Sequence, residues 1–115
     1  KRQDEGRVKN KQLIPSEWIN SALNINEKLK SHMTANPKYG EESWEAYHNM
    51  WWILDGEKGE FCATGIHGQV IYINRAKNTV MVWFSNQPGA AAPKNINYQS
   101  KLNAARSLVN SLQTN

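Results

Sequence analysis

The stretch FCATGIHGQVIYINRAKNTVMVWFSN, residues 61–86, decides the fold. Runs rich in β-branched and aromatic residues alternate here with turn formers, which predicts three short β-strands in an antiparallel meander. The predicted strands are Cys62–Gly65, Gln69–Ile73 and Thr79–Phe84.

Glycines bracket the first connection of this meander. Gly65 and Gly68 enclose Ile66 and His67, which predicts a tight corner between the first two strands. Glycine adopts backbone angles that other residues avoid, and it lets a ligand or another backbone come close. The second connection contains residues that favour turns, namely Asn74, Lys77 and Asn78.

The second and third strands are almost continuously apolar. Their sequences, VIYI and VMVWF, lack the strict alternation of a strand with one face in water. Such runs are typical of strands covered on both faces. We therefore expect the rest of the chain, or another chain, to supply a layer on each side.

Composition limits the functional classes. With 115 residues the chain forms at most one domain, and its net charge is only +4. The basic residues are spread out and are densest in residues 1–11, where a solvated terminus is favoured over a nucleic-acid-binding arm. No apolar run reaches the length of a membrane span. The single cysteine cannot form an internal disulfide bond.

The segments before the meander are predicted to be helical. Residues 1–12 are polar and aperiodic and suggest a turn or a frayed end, and residues 13–49 form a helical and loop region. Pro15 suits the first turn of a helix, and Asn36-Pro37 would end a second helix. The apolar face of the first helix would comprise Trp18, Ile19, Ala22 and Leu23, and that of the second Ile25, Leu29 and Met33.

Strands are predicted within residues 50–86, where MWWIL precedes the glycine-bounded turn of residues 55–59. A Pro/Gly/Ala connector, QPGAAAPKN, then leads to a C-terminal helix over residues 96–113. Its apolar stripe would comprise Leu102, Ala105, Leu108, Val109 and Leu112, so this helix should cover one face of the meander. The predicted fold class is α+β.

Few residues suggest chemistry on their own. His67 either binds a ligand, acts in acid/base chemistry or satisfies a local hydrogen bond, and the last is favoured. The three histidines share no ligand spacing and Cys62 has no CxxC partner, so no metal site is predicted. Cys62 is expected to be a buried, inert thiol. The carboxylates of Glu41, Glu42 and Glu45 are best explained by a solvated loop. Trp44, Trp51 and Trp52 are more typical of a core than of a ligand platform.

The order of these segments resembles a known family. LIPSEWI, an aromatic segment ending NMWWIL, then ATGIHGQ, an apolar strand ending SNQP and a terminal helix together look like the C-terminal part of penicillin-recognising serine hydrolases. Among these, the sequence is most similar to the esterase-type β-lactamase relatives that include the nylon-oligomer (6-aminohexanoate-dimer) hydrolases. The resemblance runs from about Gly6 to Leu112. It implies a β-lactamase/transpeptidase-like fold and no cofactor.

The resemblance also implies roles for the corner. In such enzymes a serine of an S-x-x-K motif attacks a carbonyl, and two backbone N–H groups hold the oxyanion. Ala63-Thr64-Gly65 stands where K-T-G would stand, so the Ile66 N–H would point into the oxyanion hole. The residues expected to bind or border the substrate are Ala63, Thr64, Gly65, His67 and Gln69.

Two differences between this sequence and the motifs of that family change the expected function. Ala63 replaces the lysine that binds the carboxylate of a β-lactam, which favours amides or esters without that carboxylate. None of the serines is followed three residues later by lysine, and Tyr47-His48-Asn49 matches Y-x-N by letters only. Residues 1–115 are therefore expected to be a single partial domain whose nucleophile lies on an N-terminal part of the same enzyme. That part would also supply the strand beside VMVWF, and without it the open edge invites self-association.

The alternative function is a small aromatic-rich binding module for a carbohydrate, a peptide or single-stranded nucleic acid. Such a module needs a coplanar set of exposed rings, whereas the hydrolase hypothesis expects Trp83 and Phe84 to be buried. A third possibility is a structural or interface domain with no site. The hydrolase hypothesis predicts a small amide or ester as substrate, no nucleic acid and no membrane span.

Overall fold

The computed structural model describes residues 6–35, 44–90 and 98–112, in which three helices combine with antiparallel strands. The α+β class is therefore confirmed. In chain order the elements are β1 (Arg7–Val8), β2 (Lys11–Gln12), α1 (Ser16–Leu23), α2 (Glu27–Thr34), β3 (Ala46–His48), β4 (Trp51–Asp55), β5 (Glu60–Gly65), β6 (Gln69–Asn74), β7 (Thr79–Trp83) and α3 (Tyr98–Leu112).

Residues 7–12 of the polar N-terminal segment form a small hairpin rather than a frayed end. β1 and β2 pair through a two-residue turn in which Lys9 and Asn10 both have positive φ, at 48° and 66°. Two central residues of this kind match the twist of a hairpin. The Arg7 Nε donates a hydrogen bond of 2.9 Å to the side-chain carbonyl of Gln12. Charged residues in a hairpin this short leave no periodicity to detect, which is why the prediction missed it.

The two short helices form near their predicted positions, with one exception in burial. Pro15 lies at the N-cap position of α1, just before the first turn where it was predicted, and the Asn26 side chain, which was not predicted as a cap, caps α2 by accepting a 3.0 Å hydrogen bond from the Leu29 N–H. Ala22, Leu23 and Met33 are buried. Trp18 was expected on the apolar face of α1, but its side chain is 53% exposed. The predicted helix end at Asn36-Pro37 lies outside the described residues.

The predicted three-stranded meander is the larger part of a five-stranded antiparallel sheet. Its strand order is β3-β4-β5-β6-β7, each strand pairing with its neighbours in sequence. The registers join Ala63 to Ile71 and Ile71 to Val82 in one row across the sheet. β4 and the meander strands were predicted within about two residues, whereas β3 was missed. Three residues in a polar stretch carry too little pattern to identify a strand.

α3 packs on one face of this sheet. Leu102, Ala105 and Val109 are buried against a cluster that includes Cys62, Val70 and Tyr72. These helix residues belong to the predicted stripe, whereas Leu108 and Leu112 are 49% and 65% exposed. The predicted start of α3 at residue 96 lies outside the described residues. No helix of the described segments is both long and apolar enough to cross a membrane.

On the opposite face of the sheet, the described residues cover the part formed by β4 and β5 but leave most of β6 and β7 exposed. A second core cluster joins Leu23, Ala46, Ile53 and Phe61. Beyond it, Ile71, Val80 and Val82 are 40%, 58% and 50% exposed. The described residues therefore supply only part of the layer expected on this face, and its completion by the rest of the chain or by another chain stays a prediction. Side chains alternate between faces, and of those pointing away from α3 among the described residues, Ile73 packs against the second cluster whereas Ile71, Val80 and Val82 stay exposed.

A buried ion pair fixes α3 to the sheet. Glu60, at the start of β5, is only 5% exposed. Its carboxylate accepts two hydrogen bonds from the Arg106 guanidinium, at 2.5 Å from Nε and 3.0 Å from the terminal nitrogen. The Tyr72 hydroxyl donates a third, of 2.8 Å, to the same carboxylate. Burial raises the pKa of Tyr72 to about 12. The three side chains thus satisfy a charge that would otherwise be costly to bury.

Removing Arg106 should leave the Glu60 carboxylate buried without its counter-charge. We expect Arg106→Met to lower the free energy of unfolding by about 2–3 kcal/mol, measured by urea denaturation. The double variant Glu60→Gln/Arg106→Met should recover part of this loss. As a control, Lys30→Met removes the exposed pair between Lys30 and Glu27 and should change stability by less than about 0.5 kcal/mol. An equal effect of the two single substitutions would contradict the role of the buried pair.

Alkaline pH should weaken the fold through Tyr72. Its ordinary pKa is 10.0 and its folded pKa is about 12, so the folded chain holds the phenolic proton more tightly than the unfolded chain. The contribution of the protonated Tyr72 to the free energy of unfolding is complete below pH 10 and is lost as the pH rises towards 12. We expect the free energy of unfolding to fall more steeply between pH 9.5 and 11.5 in the parent chain than in Tyr72→Phe. Parallel slopes would show that Tyr72 does not carry the effect.

Candidate functional site

The corner between β5 and β6 is a single 3₁₀ turn, Ile66–Gly68. Two consecutive residues have positive φ there, His67 at 57° and Gly68 at 78°. A Cβ atom at position 68 would lie 2.5 Å from the Lys101 ammonium nitrogen. Gly65, by contrast, is extended, with φ −123° and ψ 164°. Gly68 therefore carries the conformational requirement of this corner.

The backbone N–H groups of Ile66 and His67 differ in their hydrogen bonding. The His67 N–H donates a 3.1 Å hydrogen bond to the Ala90 carbonyl. Within the described segments, no residue accepts a backbone hydrogen bond from the Ile66 N–H. The Ile66 side chain is 67% exposed, so it does not shield its own backbone. The Ile66 N–H is thus a donor of the corner that a ligand can use.

His67 anchors the loop that follows β7. Its Nδ1 lies 2.8 Å from the Gln87 carbonyl oxygen. Because a carbonyl only accepts, Nδ1 must carry the proton, and in the neutral ring Nε2 is then the acceptor. This geometry matches the structural role that the sequence favoured for His67.

Gln69 binds the same loop. Its side-chain amide donates to the Ser85 carbonyl, and its side-chain oxygen accepts a 3.2 Å hydrogen bond from the Ser85 N–H. Both polar groups of the amide are used by the backbone of one residue. Gln69 therefore extends the ladder between β6 and β7 by one pair.

Two side chains of α3 hold the carbonyl groups at the ends of the corner. The Tyr98 hydroxyl donates a 3.0 Å hydrogen bond to the Gly65 carbonyl, and the Lys101 ammonium donates one of 2.9 Å to the Gly68 carbonyl. The Lys101 nitrogen also lies 5.6 Å from the centroid of the Trp83 ring, in cation–π range. Neither residue was predicted from the sequence. Their three-residue spacing places them on one side of a helix, but it does not identify what they contact.

The strand leading into the corner has a described neighbour on only one side along its last three residues. The ladder between β4 and β5 covers Glu60, Phe61 and Cys62, whereas residues 63–65 pair with β6 alone among the described strands. Ala63 lies on the face of Ile71, and Thr64 lies on the α3 face. A ligand lying on one face therefore cannot contact both side chains, but one lying along the open edge reaches the backbone of all three residues.

The other candidate residues lie away from ligand chemistry. Cys62 is fully buried, as predicted for an inert thiol. Glu45 accepts a 3.0 Å hydrogen bond from the Gly56 N–H and so fixes a turn, while Glu41 and Glu42 lie outside the described residues. Tyr47 and His48 are on β3, which β4 separates from β5. No group of three or more metal-ligating side chains occurs in the described part of the chain.

The aromatic residues mostly pack on one another. The Trp52 ring centroid lies 5.0 Å from that of Trp44 and 4.4 Å from that of Tyr47. Trp83 is partly buried against the α3 cluster. Phe84 was expected to be buried but is 85% exposed, because β7 ends at Trp83 and leaves Phe84 beyond the sheet. The exposed aromatic rings of the described segments, those of Trp18, Tyr47 and Phe84, belong to three separate parts of the chain.

No family model matches the sequence, and searches of curated proteins and of solved structures find no significant match.

The corner should tolerate a side chain at Gly65 better than at Gly68. Gly68→Ala forces an L-residue into positive φ and displaces Lys101, so we expect it to lower the free energy of unfolding by about 1–3 kcal/mol. Gly65→Ala is the matched control, because its φ of −123° suits any residue and its closest contact would be the Gln69 Cβ at 3.3 Å. Urea denaturation of both variants makes the comparison. A larger loss for Gly65→Ala would contradict the assignment.

Proposed function

We propose that this chain is the C-terminal part of a serine hydrolase with a β-lactamase/transpeptidase-like fold, and that the corner supplies one N–H of its oxyanion hole. The observation that carries the proposal is the Ile66 N–H, which has no backbone acceptor among the described residues and follows directly on residues 63–65, beside which no described strand lies on the β4 side. A donor held rigidly beside an open strand edge is the arrangement that carbonyl chemistry requires.

The rigidity of the corner supports this proposal. An oxyanion hole works because its donors are oriented before charge develops on the substrate oxygen. Here the groups on both sides of the Ile66 N–H are fixed, by Tyr98 at the Gly65 carbonyl and by Ala90 at the His67 N–H. The Ile66 N–H therefore needs little reorganisation to receive an oxyanion.

The proposed reaction is acyl transfer from an amide or an ester. A serine hydroxyl attacks the carbonyl carbon as a lysine accepts its proton, and the carbonyl oxygen becomes an oxyanion that the Ile66 N–H stabilises. The leaving amine or alcohol then takes a proton, and water hydrolyses the acyl-enzyme. Because this chain has no S-x-x-K, the serine and lysine would belong to an N-terminal part of the same enzyme.

The substrate class follows from the residues beside the donor. Ala63 offers no cation to a substrate carboxylate, and Thr64 offers a hydroxyl on the α3 face. An extended neutral amide or ester lying along the edge of β5 fits these groups better than a penicillin does. Gly65 and Thr64 would contact its backbone-like atoms, with His67 and Gln69 holding the border of the site.

The sequence encoded directly upstream of Lys1 gives the first test. An in-frame S-x-x-K segment followed by Y-x-N supports the proposal. An independent start codon with no such segment overturns it. The 115-residue chain alone should not hydrolyse p-nitrophenyl esters in either case.

Ile66→Pro then tests the donor in the longer protein. Proline removes the N–H but fits the first position of the turn, since Gly65 before it has φ −123° and ψ 164°. We expect kcat to fall by about 10²–10³-fold with little change in the free energy of unfolding. Ile66→Val keeps the N–H and should retain activity. Equal activity of the two variants would refute the role of this donor.

A further inference from the structure

β7 is an unprotected sheet edge. It pairs with β6 on one side, and no described strand lies on its other side. Its sequence, TVMVW, contains no charge, no proline and no glycine. Natural edge strands usually carry one of these features, or are very short, because a bare edge pairs with other chains. The opposite edge, β3, is only three residues long.

The exposed side chains of this edge are apolar. Val80 and Val82 are 58% and 50% exposed and lie on the same face, beside the 40% exposed Ile71. The alternate residues Met81 and Trp83 pack towards the α3 cluster instead. The edge thus combines unpaired backbone groups with an apolar stripe, and both favour a β-strand as the partner.

The edge is complementary to itself. β7 is centred on Met81, with a valine on each side. If two copies pair antiparallel about a two-fold axis at Met81, Val80 of each copy lies opposite Val82 of the other. The two valine pairs then lie on the same face, where cross-strand β-branched pairs stabilise a sheet. An isologous interface of this kind closes after two copies.

Charge does not oppose this register. In it, Thr79 of each copy faces Trp83 of the other. β7 itself carries no charged residue, so no cation lies opposite a cation in the paired strands, although the chain has a net charge of +4. Like charges placed directly opposite would have destabilised the pairing.

We infer that the 115-residue chain forms a symmetric dimer in which the β7 strands of two copies pair antiparallel about Met81, joining two five-stranded sheets into one. This inference does not depend on the proposed catalytic function. In the longer hydrolase a strand of the N-terminal part would compete for the same edge, so the dimer belongs to this chain on its own.

Sedimentation velocity of the intact chain tests the inference. From about 2 to about 200 µM, the weight-average mass should rise from that of one copy towards that of two. Val82→Lys places a charge in the apolar pair and should raise the dissociation constant at least about tenfold. Val8→Lys is the matched control, because Val8 is also an exposed strand valine, at 55%, but lies on β1. It should dimerise like the parent chain.

Disulfide trapping tests the register. A mixture of Val80→Cys and Val82→Cys chains should form the mixed disulfide under mild oxidation, since these positions lie directly opposite. Either variant alone should cross-link much more slowly, because its two cysteines are offset diagonally. Cys62 is fully buried and should not compete.

Three outcomes would overturn the inference. These are a monomer across the whole concentration range, a dimer that Val82→Lys leaves intact, and efficient cross-linking of Val82→Cys with itself. The last would indicate a different register, either an antiparallel pair centred on Val82 or a parallel pair. If Val82→Lys proves unfolded by circular dichroism, the trapping experiment decides. None of these results bears on the Ile66→Pro test.

Discussion

The buried Glu60 carboxylate is the constraint on which the rest of the structure depends. A charge at the start of the central strand is tolerated because Arg106 and Tyr72 complete its hydrogen bonds from a helix and a neighbouring strand. This requirement fixes where α3 sits on the sheet. Leu102, Ala105 and Val109 then lie over the apolar centre, and the N-terminal turn of the helix lies at the β5–β6 corner. Electrostatics sets the position of α3, and hydrophobic burial provides most of the attraction.

Local patterns predicted the elements well where the pattern was long. The meander was recognisable because apolar runs alternate with glycine and asparagine turns, and α3 because its buried residues recur at three and four positions. Short elements such as β3 carry no comparable signal. Burial was harder to predict: Trp18 and Phe84 were expected inside and are exposed. An apolar side chain indicates that burial is favourable, but it does not show that a covering layer is present.

The candidate site, too, was only partly predictable from the sequence. The glycines and the sequence ATGIHGQ pointed to the corner, and the structure adds what holds it. Tyr98 and Lys101 contact carbonyl groups 33 residues away in sequence. Contacts at that separation depend on how α3 packs against the sheet, and helical periodicity contains no such information. His67 was the most prominent polar residue of the corner, and its hydrogen bond to Gln87 gives it a supporting position beside the Ile66 N–H.

α3 is also joined to β5 at both ends of that strand. Tyr98 is bound at Gly65, the end of the strand, and Arg106 at Glu60, its beginning, so helix and strand run in opposite directions and are joined at both ends. Eight helical residues rise about 12 Å and five strand steps extend about 17 Å, a difference that the long arginine side chain can bridge. These two joints constrain the number of residues between them, in addition to the packing that keeps Leu102 and Ala105 in the core. A single insertion in β5 or α3 would break one joint, so evolution should preserve these two lengths more strictly than the sequence they contain.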